Sequence, residues 1–458
     1  MNKILAIAWI SIRNAVRSRV VVVLLGILLL GIVGIPLTVK GDGTPGGYVQ
    51  ILVRYTLGFA GLLLALATVW AGCAAVSMEI QERQIHLIVT KPVRRLQIGL
   101  GKWLGLVALN AAALALCGAV TYGLLRWDTR PGRLTPAERQ TLTDEVLVAR
   151  QALVPVPADV ANKAREQLRE RQARGQMPAN VPVETVYQAI REGLLTEAHL
   201  VPPGGKLPWT FPLPPTAPTD RPFQLRFKIS SSVLTPLKII GRWSIGRERE
   251  ARRYETTQEG NSVGVNSISV PAAALQGAGP LIVEYANVHP QPVTILFSPQ
   301  ESLTLLLYAG PWEGNLARAL LVMLWRLAFI AALGVTAGSL FSLPVAAFAA
   351  FQALIVLSTS DFIRSMAARD VRVPVNPDLA ARAPALLDAA LTYFYRLVSS
   401  LIQPLETADP LALVATGQLL PWSTVAFGGL IQVGVYGGLL LLLGSWVLRR
   451  RELALPAG

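Results

Sequence analysis

The chain has 458 residues, of which 52% are hydrophobic and only 15% are charged, and its mean hydropathy is +0.46. Soluble domains carry charge on about 25% of their residues, so this composition excludes the ordinary soluble class and indicates a membrane protein. The formal net charge is +14. Much of the excess lies beside apolar runs, so it does not indicate nucleic-acid binding.

The first apolar runs begin close to the N-terminus. A helix that crosses ~30 Å of hydrocarbon needs about 20 apolar residues. The runs 20–39, 55–78 and 103–125 reach that length without a charged residue. The first run is too long for the core of a signal peptide, and no cleavage site of small residues precedes Lys40, so we expect a retained anchor. The sequence thus predicts three spans in this part.

A second group of apolar runs follows after a wide gap. The uncharged runs 327–360 and 411–448 are each too long for one span. Ser342-Leu343-Pro344 predicts a hairpin in the first run, and Pro421 predicts a break in the second. The total is therefore six transmembrane helices.

The distribution of positive charge predicts the orientation. Segment 1–19 carries +4, segment 78–102 carries +3 and segment 449–458 carries +2. Short positive segments remain in the cytoplasm, whereas long domains cross the membrane largely regardless of charge. We therefore expect a multi-pass protein of the bacterial cytoplasmic (inner) membrane. Both termini would be cytoplasmic and residues 127–312 would lie outside.

The long insertion has a composition of its own. Residues 158–174 and 183–197 predict helices, and a proline-rich linker, 202–222, follows. From Phe223 to Ile229 apolar and polar residues alternate strictly, as in a half-buried strand. Further strands are predicted at 237–245, 263–270, 281–287, 293–298 and 303–308. Short strands in this number predict a small antiparallel β-sandwich or jelly roll, which either binds a ligand or braces the protein.

The predicted fold class is therefore a polytopic α-helical membrane protein with an inserted extracytoplasmic α+β domain. Its predicted segments are 1–19, an N-terminal cytoplasmic interfacial helix; 20–126, spans one to three with the cytoplasmic loop 78–102; 127–222, an outer helical part with the linker; 223–312, the β-sandwich; 313–360, spans four and five; 361–420, an outer interfacial and re-entrant segment; and 421–458, the last span and a basic tail.

Two motifs of nucleotide and metal sites are absent from the sequence. It contains no G-x-x-x-x-G-K-[ST] and no H-E-x-x-H, and its three histidines are scattered. We therefore expect no catalytic residue, no metal ligand and no directly bound cofactor. Cys73 and Cys117 fall within predicted spans and are expected to be small core residues.

The link between the second and third spans is dense in charge. Residues 79–90 can form a short helix, which Pro92 would end because the residue before a proline avoids the α region. On pattern alone, this link could equally be an ordinary positive-inside loop. Its candidate functional residues are Glu79, Glu82, Arg83, Thr90, Lys91, Pro92, Arg94 and Arg95.

The stretch MEIQERQIHLIVTKPVRRLQIGLGKWLG resembles the first cytoplasmic loop of the type-two family of ABC-transporter permeases. The basic amphipathic start, ILAIAWISIRNAVRSR, and the ending VLRRREL are also similar to that family. The residues that carry the resemblance in the loop are Glu79, Glu82, Arg83, Thr90, Lys91, Pro92, Val93, Arg95, Gly101 and Lys102.

The resemblance implies the permease subunit of an exporter, without its own ATPase, that works as a homo- or heterodimer. A separate cytoplasmic ABC ATPase subunit would bind ATP and Mg, and the loop helix would sit in a groove of that subunit and couple it to the spans. The cargo would be an amphiphile, a glycan or a drug-like molecule. A secondary carrier is a rival, although no acid lies within a predicted span. Another alternative is a membrane-anchored receptor or assembly scaffold whose β domain binds a partner.

Arg326 lies inside the fourth predicted span and is the candidate residue of a translocation path. An arginine inside the bilayer is costly, so its side chain either snorkels outwards or faces protein and meets an anionic group of the substrate. Gly334-x-x-x-Gly338 and Gly434-x-x-x-Gly438 would permit close packing of helices in a dimer.

The segment 361–420 is expected to lie outside and to re-enter the membrane in part. Its apolar residues recur at helical spacing, which predicts a helix lying in the membrane interface among the lipids. Asp409-Pro410 would begin the short apolar element that Pro421 ends. The apolar positions are Leu386, Leu387, Ala390, Leu391, Phe394, Leu397, Val398 and Leu401.

Overall fold

The chain divides into two compact units in a computed structural model. Unit one comprises residues 1–147 and 311–458, and unit two comprises residues 148–310. The structure describes residues 3–39, 45–82, 93–130, 135–136, 142–157, 159–177, 183–214, 220–233, 236–248, 253–298, 303–360, 363, 384–405 and 409–450.

Unit one is helical. Its helices are α1 (Lys3–Arg17), α2 (Arg19–Thr38), α3 (Pro45–Gln50), α4 (Gly58–Gln81), α5 (Arg95–Asp128), α8 (Trp312–Leu340), α9 (Leu343–Ser358), α10 (Pro384–Ile402), α11 (Pro410–Ala415), α12 (Trp422–Gly429) and α13 (Gly438–Arg450), and α6 and α7 belong to unit two. Two π-helical segments, Ile51–Leu57 and Leu430–Gly437, join α3 to α4 and α12 to α13.

Within the described residues, five helices are long and apolar enough to cross a membrane. They are Arg19–Thr38, Gly46–Gln81, Arg95–Trp127, Trp312–Leu340 and Trp422–Arg450. The apolar helix α9 is shorter, with 16 residues. The second and third helices extend beyond the uncharged runs 55–78 and 103–125 and include charged residues such as Arg54, Glu79 and Lys102.

The helix breaks predicted at Ser342-Leu343-Pro344 and at Pro421 both occur in the structure. Helix α8 ends at Leu340, and Ser342 is the N-cap residue of α9 with Pro344 in its first turn. Likewise α11 ends at Ala415 and α12 begins directly after Pro421. Proline suits a first helical turn because its missing N–H would have no partner there anyway.

Helices α4 and α8 run parallel and in close contact at glycines. A Cβ on Gly72 would lie 3.0 Å from the Cα of Gly334, so only the absence of side chains permits this approach. Nearer the start of both helices Gly61 faces Met323, and nearer their end Gly338 faces the backbone of Cys73. The motif Gly334-x-x-x-Gly338 was predicted to serve a dimer. That prediction is wrong for this motif, since it packs within the chain.

The short helix α11 is fixed against the first turns of α8. Trp312 Nε1 donates to the carbonyl of Val414 at 3.3 Å. Asn315 Nδ2 donates to the carbonyl of Gln418 at 2.7 Å, and its Oδ1 accepts from the amide of Leu420 at 2.8 Å. These bonds satisfy backbone groups at the end of a short helix, which would otherwise cost free energy in an apolar surrounding.

The segment before α11 lies beside the last span. Gln432 Nε2 donates to the carbonyl of Leu405, and Tyr436 Oη donates to the carbonyl of Leu401, both at 2.9 Å. Helix α10 leaves Phe394, Leu397 and neighbouring apolar side chains exposed, as its spacing predicts. The first part of the predicted interfacial segment, 364–383, lies outside the described residues.

Within the described residues, unit two combines three sheets with two α-helices. Its helices are α6 (Val160–Ala173) and α7 (Val183–Glu197), close to the predicted bounds, and they pack on each other through Ala164, Val186 and Ile190. Its strands are β1 (Val148–Leu153), β2 (Leu200–Val201), β3 (Lys206–Phe211), β4 (Phe223–Phe227), β5 (Ile229–Ser231), β6 (Lys238–Arg247), β7 (Tyr254–Asn261), β8 (Asn266–Val270), β9 (Leu281–Asn287), β10 (Ile295–Phe297) and β11 (Leu303–Pro311).

The sheets have the strand orders β1-β11-β4-β8, β2-β10-β5 and β3-β9-β6-β7. Strand β6 pairs antiparallel with β7 and β9, and Trp243 lies opposite Tyr285. Alternate residues of the strands enter one shared core. In β4 the pattern from Phe223 to Phe227 alternates between buried and half-buried side chains, as the sequence predicts.

Strand β3 corrects the prediction of a linker over 202–222. Residues 206–211 pair with β9, and Pro208 lies opposite Glu284. The proline weakened the strand signal because it cannot donate a ladder hydrogen bond. However, β3 is an edge strand of its sheet, where proline is tolerated.

Aromatic side chains fill the core of unit two. The rings of Trp243 and Tyr285 lie 4.9 Å apart and those of Trp209 and Phe297 lie 4.8 Å apart, each pair edge to face. Such pairs add about 0.5–1.5 kcal/mol beyond the area they bury. These aromatic residues therefore stabilise the unit from inside.

We expect unit two to lose stability in alkali through Tyr285. Burial raises the pKa of this phenol, and its Oη has no hydrogen-bond partner within the described residues. In the unfolded chain the Tyr285 phenol has a pKa of ~10 and loses its proton at a lower pH than in the folded chain. The free energy of unfolding should therefore decrease above pH ~10, by at most about 1.4 kcal/mol per pH unit.

Urea unfolding of the full chain between pH 8 and 11.5, followed by tryptophan emission, measures this loss. Tyr285→Phe should remove much of the alkaline loss without weakening the protein at pH 8. Tyr254→Phe, a half-buried residue at the edge of the same core, is the control. An equal alkaline loss in wild type and Tyr285→Phe would contradict the prediction.

Candidate functional site

The candidate coupling residues lie where α4 ends and α5 begins. Glu79 lies in the last turn of α4, and Glu82 is its C-cap residue. The separate loop helix was expected to begin at residue 79, but residues 79–81 continue α4. Arg94 is the N-cap residue of α5, and its backbone N–H donates to Gln97 Oε1 at 3.1 Å. Arg83, Thr90, Lys91 and Pro92 lie outside the described residues.

A buried ion pair joins the two helices behind this loop. Lys102 Nζ lies 2.5 Å from Glu79 Oε1 and donates to the carbonyl of Ala75 at 2.5 Å. The two side chains are only 3% and 13% exposed. Charge-assisted hydrogen bonds of this kind are the strong ones, and removing one partner leaves an uncompensated buried charge. The pair therefore locks the end of α4 to the second turn of α5.

The amphipathic helix α1 completes this end of unit one. It packs along α5, where a Cβ on Gly101 or Gly105 would clash with Ile7 or with Ala8 and Ser11. Its other face exposes Trp9, which is 66% exposed, with Leu5 and Ile10. A helix with one face on protein and large apolar side chains on another fits the membrane interface.

A cavity of about 440 Å³ lies between α1, α4 and α5. Glu79, Glu82 and Lys102 line it together with Arg17 at the end of α1 and Arg19 at the start of α2. Opposite charges from four helices thus line one cavity. Glu79 Oε2 is buried and has no hydrogen-bond partner within the described residues, so this carboxylate has capacity to accept a further bond.

A chain of contacts leads from this end into the spans. Trp103, the residue after Lys102, donates its Nε1–H to the carbonyl of Ala328 in α8 at 2.8 Å. Farther along, Asn110 Nδ2 donates to Thr68 Oγ1 at 2.9 Å, which ties α5 to α4. A displacement of α5 would therefore pull on both α4 and α8.

Arg326 lines a second cavity, near the opposite end of the spans. This cavity measures about 390 Å³ and lies between the π-helical segment Ile51–Leu57, α4, α8 and α11. Its charged lining residues are Arg54, Arg326 and Asp409. Asp409 is the N-cap residue of α11 and its Oδ1 accepts from the amides of Leu411 and Ala412 at 3.1 and 3.2 Å. The sequence did not associate Arg54 or Asp409 with Arg326.

Arg318, two turns from Arg326 on α8, has a different surrounding. Its Nη1 donates to the carbonyl of Leu420 at 3.2 Å, and its guanidinium lies 4.8 Å from the ring centroid of Trp422. This arginine therefore holds the chain reversal before the last span. Of the two arginines, Arg326 is the one that lines this second cavity.

No protein-family model matches this chain, and neither a curated protein nor a solved structure matches it.

Sequence reasoning found part of the coupling end and missed its partners. The structure brings together Glu79 and Glu82 but places Arg94 and Arg95 at the start of α5, outside the set of residues that line that cavity. Lys102 was noted only as a family position, although a lysine within an otherwise apolar helix is a sign of a buried pair. Within the described residues, no group of His, Cys, Asp and Glu is arranged to hold a metal ion, and Cys73 and Cys117 are free and buried.

Proposed function

We propose that this chain is the membrane-spanning permease subunit of an ABC exporter. A separate cytoplasmic ABC ATPase subunit would hydrolyse ATP, and the protein would pass an amphiphilic, glycan or drug-like substrate across the membrane as a dimer. The observation that carries the proposal is the buried Glu79–Lys102 pair, which fixes the two helices on either side of a short charged loop.

A permease of this kind must convert the movement of a partner's surface into movement of its spans. A loop that could flex freely would lose the displacement. Here the loop's two helices are joined by an ion pair, and α5 is bonded to α8 through Trp103. Such contacts support rigid-body transmission, in which packed helices shift together. Charges exposed on the loop would orient the partner during encounter.

The proposed topology has six spans. Five are the long apolar helices, and α9 would supply the other, although its 16 residues reach only about 24 Å along the axis. Local thinning of the bilayer or flanking polar residues can accommodate a short span. Both termini would then be cytoplasmic, and unit two would lie outside.

The alternative, a receptor or scaffold, would need a recognition surface on unit two. The large aromatic residues there are buried in its core, so they support a bracing role. The ion pair in unit one joins the helices on either side of the charged loop, which coupling requires. We therefore prefer the permease proposal.

Replacement of loop charges should uncouple the partner ATPase. We expect the tagged chain to co-purify with an ABC ATPase from its native membranes, and to hydrolyse no ATP when isolated. The triple variant Glu82→Ala, Arg83→Ala, Lys91→Ala should reduce ATP turnover by the complex about tenfold or more, since it removes charge pairs worth together at least ~1.4 kcal/mol.

The matched control replaces one acid and two bases on the exposed face of α6: Lys163→Ala, Glu166→Ala, Arg169→Ala. This variant should retain wild-type turnover. If the loop variant co-purifies and stimulates ATP turnover normally, the loop is not the coupling element. Isolation of the intact chain with no ATPase would count against the permease itself.

A further inference from the structure

Helix α1 has three different surfaces around its axis, and the first is packed on protein. Its buried residues Ala8, Ser11 and Ala15 fall within about 60° of one another on the helix circumference. A Cβ on Gly105 would lie 2.6 Å from the carbonyl oxygen of Ala8, so the backbones of α1 and α5 are in contact there. This face therefore fixes α1 to α5, and the rest of its circumference points away from that contact.

The second surface of α1 is an apolar stripe. Leu5, Trp9, Ile12 and Val16 follow one another at intervals of three or four residues, so they also lie within about 60° of one another. Leu5, Trp9 and Val16 are 54%, 66% and 46% exposed. A row of large exposed apolar side chains on one side of a helix indicates contact with lipid or with a partner protein.

The third surface of α1 carries positive charge. Arg13 and Arg17 are both exposed and lie one helical turn apart, which places their Cβ atoms about 5–6 Å from each other. They are about 40° and 80° from Trp9 around the axis, and the exposed Ile10 follows on their other side. The two guanidinium groups are therefore flanked by exposed apolar side chains, and residues 1–19 include no acid.

This combination of surfaces matches the chemistry of an anionic phospholipid. The methylene stem of an arginine covers apolar surface while its guanidinium reaches the polar interface, where it can bind a phosphate through two parallel N–H bonds. A phospholipid presents acyl chains to the stripe and a phosphate to the arginines on the same side of the helix. A free phosphate would leave the apolar stripe exposed, so charge and apolar surface together favour the lipid.

We propose that α1 selects anionic phospholipids of the leaflet in which it lies. The phosphate groups bind Arg13 and Arg17, and the acyl chains cover Leu5, Trp9 and Val16. Because α1 is packed on α5, the selected lipids border the end of unit one that contains the buried ion pair. The proposal concerns one helix and its lipids, so it depends neither on an ATPase nor on the orientation of the chain.

Quenching of Trp9 emission by brominated lipids tests the proposal on the full chain in phosphatidylcholine vesicles. The emission of Trp9 is the difference between wild type and Trp9→Phe. Brominated phosphatidylglycerol and brominated phosphatidylcholine are added separately, as the same minor fraction of the lipid. An arginine near an anionic membrane surface favours it about fivefold, so the local concentration at Trp9 should be at least about five times higher for phosphatidylglycerol.

The double variant Arg13→Gln, Arg17→Gln should reduce this ratio about fivefold or more, because glutamine retains a polar side chain but not the charge. The matched control is Arg165→Gln, Arg169→Gln, an exposed pair with the same spacing on α6, which should retain the ratio. A measurement on wild type needs no variant to fold. Salt at ~1 M, where the screening length is about 3 Å, should remove most of the preference.

Three results would overturn the proposal. Weak quenching of Trp9 by both brominated lipids would show that protein, not lipid, covers the apolar stripe. Equal quenching by the two lipids in wild type, or an unchanged ratio in the double arginine variant, would show that the arginines do not select the lipid. Loss of the preference on addition of inorganic phosphate equal in amount to the lipid would indicate a site for free anions. None of these results bears on the ATPase experiment.

Discussion

Replacement of Lys102 by methionine is expected to lower the free energy of unfolding by about 3–5 kcal/mol, the cost of breaking a buried ion pair. The variant keeps the length of the side chain but leaves the carboxylate of Glu79 buried beside apolar residues. Glu79 Oε2 already has no hydrogen-bond partner within the described residues. Loss of Lys102 Nζ therefore leaves both carboxylate oxygens without that ion-pair partner. Titration with a denaturing detergent, followed by tryptophan emission, measures the effect.

A second substitution should restore much of this loss. The double variant Glu79→Met, Lys102→Met removes both charges, and replacement of a buried ion pair by apolar residues is often neutral or stabilising. The exposed pair Lys206–Glu284, with Nζ and Oε1 3.0 Å apart, provides the control. Lys206→Met should change stability by only about 0–1 kcal/mol, because solvent screens this pair. If Lys102→Met and the double variant have the same free energy of unfolding, the assignment of a buried ion pair between residues 79 and 102 is contradicted.

The double variant also separates stability from coupling. If the ion pair only supports folding, a folded double variant should stimulate the ATPase normally. If the pair transmits displacement between α4 and α5, the same variant should fold and yet stimulate less, because an apolar contact lacks the directional charge-assisted hydrogen bond that fixes the two side chains to each other. The comparison of turnover at equal stability therefore tests the proposed mechanism directly.

Features that depend on neighbouring residues could be predicted from the sequence. The reversal at Ser342 and the break at Pro421 follow from local backbone preferences, and both occur in the structure. The alternation in β4 is equally local, since successive side chains of a strand point to opposite faces. In each case the signal and the structure lie within the same few residues.

Features that depend on partners distant in sequence could not be predicted. Glu79 and Lys102 are 23 residues apart, and neither residue's surroundings in the sequence reveal that they meet. Asp409 reaches the cavity of Arg326 only because α11 is bonded to the first turns of α8. A strand such as β3, weakened by Pro208, becomes recognisable only when its edge position is known.

The two G-x-x-x-G motifs also differ in contacts that the sequence does not reveal, because the same spacing lies in different surroundings in the structure. A Cβ on Gly334 would lie 3.1 Å from the Cα of Gly72 and 3.2 Å from the carbonyl oxygen of Val69. A Cβ on Gly438 would have nothing within 4 Å. The first motif is therefore committed to the contact between α4 and α8, and only the second is available to a partner protomer.

Gly334→Val is accordingly expected to reduce the free energy of unfolding by about 1–3 kcal/mol or more, since an added side chain must separate two backbones in contact. Gly438→Val should change stability by less than about 1 kcal/mol, the difference in helix propensity. Detergent titration measures both, and crosslinking in membranes measures the dimer. If the last span forms the dimer seam, Gly438→Val should lose the crosslinked dimer while Gly334→Val retains it whenever it folds. If both variants lose the same stability, contact between α4 and α8 is not the reason that residue 334 must be glycine.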